Sequence, residues 1–211
     1  MLITNVEQTK RGRYSIYCDG EFYCALHADV FTASRIIIGS SITPGELQEL
    51  RSKSELKITT DRALRLLSAR SYTSHGLRRK LEAYTDGESA EAVVARMMEL
   101  GYIDDLDYAR RYACECMKVK GYSAYRTVQA LREKGIDRDI AGQVTEERDD
   151  DPELQIAGVV LRKYMWYLED EKGFNKTVNA LLRLGYRHGD IRRVLDNLME
   201  DAAYYDDWEE V

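Results

Sequence analysis

The rhythm of apolar and polar positions changes near residue 30. Before it, RYSIYC (13–18) and EFYCAL (21–26) are rich in aromatic and β-favouring side chains and are separated by Asp19-Gly20. A two-residue Asp-Gly loop supplies the positive φ angles of a type I′ turn, so the pattern predicts a hairpin. LITNVEQ adds a third strand ahead of the basic turn Lys10-Arg11-Gly12-Arg13. A lone hairpin is only marginally stable, so this element must lean on a third strand or on the helices that follow.

From Asp61 onward the spacing is helical: Ala63, Leu66, Leu67; then Tyr108, Ala109, Tyr112, Ala113, Cys116; then Ile156, Val159, Val160, Tyr164, Tyr167. The two prolines follow good caps, Thr43-Pro44 and Asp151-Pro152, and predict helix starts there, the first running from about Pro44 to Ile58. The helical part also repeats itself. TVQALREKG (127–135) and TVNALLRLG (177–185) match at an offset of fifty, which also links Leu81, Leu131 and Leu181, Tyr72 with Tyr122, and Arg70 with Lys120. Each unit reads as three helices, the middle one closed by Gly135 or Gly185 and the third opened near Asp139 or Asp190. The predicted fold is therefore mainly α: three tandem three-helix repeats stacked into an elongated or curved array, behind a small N-terminal antiparallel β element. The expected boundaries are 1–43 for the β segment, 44–60 for a connecting helix, 61–104, 105–148 and 149–200 for the repeats, and 201–211 for an acidic tail.

Charge refines this picture. The chain has 211 residues and a formal net charge of −6, with the acidic excess in residues 146–211, which carry 9 basic and 17 acidic groups. Tight binding of bare nucleic acid over the whole surface favours a basic protein, so any contact with nucleic acid is expected to be local, or secondary to a protein partner. No run of eighteen apolar residues and no signal pattern occurs, and the expectation is a cytoplasmic monomer without membrane contact. Cys18, Cys24, Cys114 and Cys116 lack zinc-knuckle spacing and read as free thiols. The three histidines are scattered, no phosphate-binding glycine motif or nucleophile arrangement occurs, and neither metal nor cofactor is expected.

The stretch GYIDDLDYARRY (101–112) looks at first like an acidic site. Within the repeat, Gly101 ends a helix running from Ala90 to Leu100, and Asp104 caps the next. Asp107 then completes an approximate capping box, Asp105 adds charge to the first turn, and Ile103 with Tyr108 stands where a hydrophobic staple closes. The caps account for all three carboxylates without a metal, since a calcium loop needs a longer alternating ladder ending in Glu. The same residues, LGYIDDLDYARRY (100–112), with RALRLLSARSYTSHGLRRKL before them and LREKGI (131–136) after, resemble the RecX family of recombinase regulators over about residues 2–200. The resemblance implies a non-enzymatic regulator of recombination and the SOS response. Such a protein binds the RecA recombinase filament on single-stranded DNA and restrains its growth, strand exchange and coprotease activity. The acidic linker 146–151 and the tail 204–211 depart from the family's usual look.

The basic residues that stand out are Arg70, Arg78, Arg79, Lys80, Arg110, Arg111, Lys118, Lys120, Arg126, Arg132 and Lys134. Gathered on one face, they would touch filament phosphates or acidic patches of the recombinase; as ordinary solvated helix residues they would only confer solubility. Tyr122 and Tyr125, set among them, suggest base stacking, but helical spacing favours packing. The turn Lys10–Arg13 is either a phosphate-contacting tip or a soluble loop. Two rival readings are a freestanding DNA-binding module, which the net acidity disfavours, and a helical scaffold for another protein.

Overall fold

The computed structural model describes residues 1–148, 151–168 and 170–209, side chains from 201 onward excepted. The acidic tail 201–211 thus lies outside the described side chains, as do Asp149 and Asp150 of the linker. The chain forms two compact units, Met1–Ile103 and Asp104–Val211, and it is mainly helical behind a small sheet.

The first unit opens with β1 (Ile3–Gln8), β2 (Tyr14–Cys18) and β3 (Glu21–Leu26), antiparallel in that order. Asp19 and Gly20 have φ of 50° and 90°, as a type I′ turn demands, and Cys18 pairs with Glu21 across it. The other turn closes through Thr9, whose amide donates to the Arg13 carbonyl at 2.8 Å and whose carbonyl accepts from Gly12 at 2.9 Å. Ile3, Ile16, Cys18, Cys24 and Leu26 fill the inner face. A short helix missing from the sequence pattern, α1 (Ala28–Ser34), adds Phe31, which stacks on Tyr14 at 4.2 Å. The segment after it returns along β1, where Ile3 and Ser40 share a 3.0 Å backbone bond.

The helix begun at Pro44 does not stop at Ile58. It runs unbroken as α2 (Pro44–Ala69), merging the expected connecting helix with the first helix of repeat 1. Thr59 and Thr60 turn their hydroxyls back to the carbonyls of Glu55 and Leu56, each at 2.9 Å, instead of capping a new start, and Asp61 pairs with Lys57 and His27 at 3.2 Å. Leu47 on this helix seals the sheet, while Ala63 packs with α3 (Ser74–Leu81) and α4 (Gly87–Glu99). Gly101 follows α4 with φ of 74°.

The second unit holds two three-helix repeats. In one, α5 (Asp105–Cys114) widens into a π-helical turn, Glu115–Lys120, before α6 (Ala124–Glu133) and α7 (Arg138–Glu146). In the other, α8 (Pro152–Lys163) precedes α9 (Glu171–Arg183) and α10 (His188–Glu209), so the last helix extends past the expected end at 200. The fifty-residue offset is a packing register: Leu81, Leu131 and Leu181 are all fully buried. Ala141 and Val144 match the buried Ile191 and Val194 at the same offset. Ala90 and Val93 match them one residue off, because α3 ends at Leu81 while the middle helices of the later repeats run two residues past Leu131 and Leu181, and the one-residue-longer loop after α3 makes up only half of the difference.

The two repeats of this unit meet closely. A Cβ on Gly121 would lie 2.8 Å from Val159, and one on Gly185 2.6 Å from Ser123 Oγ. Ser123 Oγ donates to the Gly185 carbonyl at 2.9 Å and its amide to Leu184 at 3.0 Å, while Lys163 Nζ reaches the Val119 carbonyl at 3.2 Å.

Candidate interaction surface

The three aspartates behave as helix-start residues, with one difference. Asp104 Oδ1 accepts from the Asp107 amide at 2.9 Å, the expected cap. Asp107 does not return the bond to close a capping box; its carboxylate pairs with Arg111 at 2.7 Å, because the shorter Asp side chain favours the basic neighbour one turn on. Ile103 is buried in the first unit's core, and Tyr108 stacks on Tyr112 at 6.0 Å in the second. Among the described residues no group of three or more His, Cys, Asp and Glu is arranged to hold a metal. All four cysteines are free thiols, and burial pushes those of Cys18, Cys24 and Cys116 up.

The basic residues divide between the units: Arg70, Arg78, Arg79 and Lys80 belong to the first, Arg110 through Lys134 to the second. Packing also divides them by pairing. Arg78 bridges Glu82 at 2.8 Å and Glu91 at 2.6 Å. Arg110 grips Glu147 with two bonds of 3.0 Å, which raise its own pKa and hold the Glu147 carboxyl below its usual range. Lys120 pairs with Glu115 at 3.0 Å and lies 4.7 Å from the Tyr112 ring centre, where Lys134 also sits at 5.7 Å. Arg126 pairs with Glu133 at 3.6 Å and Arg70 stacks on Tyr72 at 4.5 Å. Arg79, Lys80, Lys118 and Arg132 are exposed and form no ion pair with described residues.

Tyr125 corrects the packing expectation: it is 68% exposed, because its position on α6 faces away from the buried Thr127, Ala130 and Leu131. Sequence reasoning also passed over α9. Its exposed side carries Lys172, Lys176 and Arg183, none in an ion pair with a described residue. The signal was hidden in the repeat: Arg126 and Glu133, a salt-bridged pair on α6, become Lys176 and Arg183 fifty residues on.

The model of the RecX second three-helix domain matches residues 104–144, the helices α5 to α7. The regulatory protein RecX of Trichlorobacter lovleyi is 34% identical over 140 residues, covering 64% of this chain and 91% of that protein. The chain belongs to the RecX family. A RecX from Clostridioides difficile is 25% identical over 208 residues, covering 96% of this chain and 98% of its own. A crystal structure of a regulatory protein RecX shares the fold with a TM-score of 0.66 at 21% identity, covering 92% of this chain and 98% of that one. These RecX relatives are named regulatory proteins, not enzymes. No described helix is long and apolar enough to cross a membrane.

Proposed function

We propose that this RecX protein binds a RecA-type recombinase filament on single-stranded DNA and restrains its growth, strand exchange and coprotease activity. The reading rests on one observation above the rest: the close match to a RecX regulatory protein over nearly that protein's whole length. The architecture supports it. The two three-helix repeats of the second unit, joined by hydrogen bonds to backbone carbonyls, offer helix faces in series, and weak contacts made in series sum through effective concentration. Arg79, Lys80, Lys118 and Arg132 meet acidic patches of the recombinase, since carboxylates of this chain already engage Arg78, Arg110, Arg111, Lys120 and Arg126.

Strand exchange by a recombinase, followed with and without an equimolar amount of this protein, tests the reading. Exchange and recombinase ATP hydrolysis should both fall. Unchanged rates would defeat the proposal. Reversing Arg79 and Lys80 to Glu should weaken inhibition several-fold more than Arg78→Gln does.

A further inference from the structure

The outward side of α9 gathers cations that no described carboxylate pairs with. Lys172, Asn175, Lys176, Asn179, Leu182 and Arg183 fall at helical spacing and are all exposed, while Thr177, Val178 and Leu181 face the core. That exposed side holds cations and amides, with a single apolar side chain, Leu182, and a single acid at its N-terminal end. The only carboxylate on the helix is Glu171, in its first turn. Arg187 continues the row past the Gly185 turn and is also exposed. None of the four cations makes an ion pair with a described residue, although the chain as a whole is acidic. Between them lies a shallow hollow of about 590 Å³ lined by Lys176, Asn179, Leu182 and Arg183.

We propose that this side of α9 is a contact for single-stranded nucleic acid. Lys172, Lys176, Arg183 and Arg187 take successive phosphates, a base lies against the exposed Leu182, and Asn175 and Asn179 offer donors and acceptors to base edges. From Lys172 to Arg183 the helix rises roughly 16 Å, room for a short site of about 4 nucleotides. An acidic peptide would use the cations but has no need of the amides or of an apolar spot between them. The α6 positions fifty residues earlier lack the property, since Arg126 is answered there by Glu133 on the same helix. The contact belongs to the chain alone and does not depend on the recombinase reading.

Fluorescence anisotropy of a labelled oligothymidylate with the full chain, and no recombinase present, tests the proposal. Log affinity should fall against log salt with a slope near −2.8, roughly 0.7 for each of about four neutralised phosphates. The double variant Lys176→Gln with Arg183→Gln should bind at least tenfold more weakly at low salt and halve the slope, with circular dichroism unchanged. Arg51→Gln with Lys53→Gln, on α2, should bind like the wild type. The proposal is overturned if the wild type shows no salt-dependent affinity or if the α9 variant binds as tightly as wild type. Displacement by polyglutamate as readily as by unlabelled oligonucleotide would overturn it too, and would mark the surface as a site for acidic peptides.

Discussion

Two threonines fifty residues apart show how the repeat is used twice with different local chemistry. Thr127 and Thr177 are both fully buried, but Thr177 Oγ1 donates to the Gly173 carbonyl at 3.0 Å while Thr127 Oγ1 has no partner among the described residues. A buried hydroxyl left unpaired carries its desolvation cost without return. Thr127→Val should therefore be neutral or stabilising, and Thr177→Val should cost about 1 kcal/mol, both read from urea unfolding. Glycines separate in the same way. Gly39 and Gly185 both have positive φ, 89° and 93°, yet a Cβ on Gly39 meets open space and one on Gly185 meets Ser123 Oγ and Arg126 Cβ within 2.7 Å. Gly39→Ala should cost about 1–2 kcal/mol from backbone strain alone. Gly185→Ala should cost more, because the junction between the two repeats must open as well.

Helix ends make a second kind of statement, about pH. Thr43 and Glu46 close a full capping box on α2, and the Thr43 amide holds the Glu46 carboxyl below its usual pKa. The Ser89 amide does the same for Asp86 at the start of α4, and Arg110 for Glu147 at the end of α7. A carboxylate lowered in the folded state stabilises the protein above its unfolded pKa, and that contribution disappears as pH falls through the lowered value. Stability should be flat from neutrality to about pH 5 and then decline below about pH 4, measured as the urea midpoint across the range. Glu46→Gln should make the decline shallower and lower the midpoint at neutral pH. The helix starts were legible in the sequence because a cap is satisfied within three residues: Thr43, Asp104 and Asp151 all accept an amide nearby. The continuity of α2 through Thr59 and Thr60 was not, since a threonine serves as a cap or as a back-bonded helical residue depending on what packs beside it.

At the scale of the whole molecule, regulation by tandem units makes one further demand. If the repeats act in series, loosening the junction of the second unit should weaken inhibition of strand exchange without unfolding either repeat. Ser123→Ala removes the cap of α6 and the 2.9 Å bond to Gly185, at a cost of about 1–2 kcal/mol. Inhibition should drop while helicity by circular dichroism stays near that of the wild type. Turns, caps, the fifty-residue register and the family likeness were all readable from the chain, because each is written in neighbouring residues or in buried leucines that recur at a fixed interval. The interaction surface was only half readable. Arg110 finds Glu147 thirty-seven positions away, Arg78 finds Glu91 across a turn, and Lys176 finds no described acid at all. A basic residue in sequence is only a charge. Whether that charge is spent within the protein or left for a partner depends on which carboxylates the packed helices bring beside it, and that was decided by the tertiary structure alone.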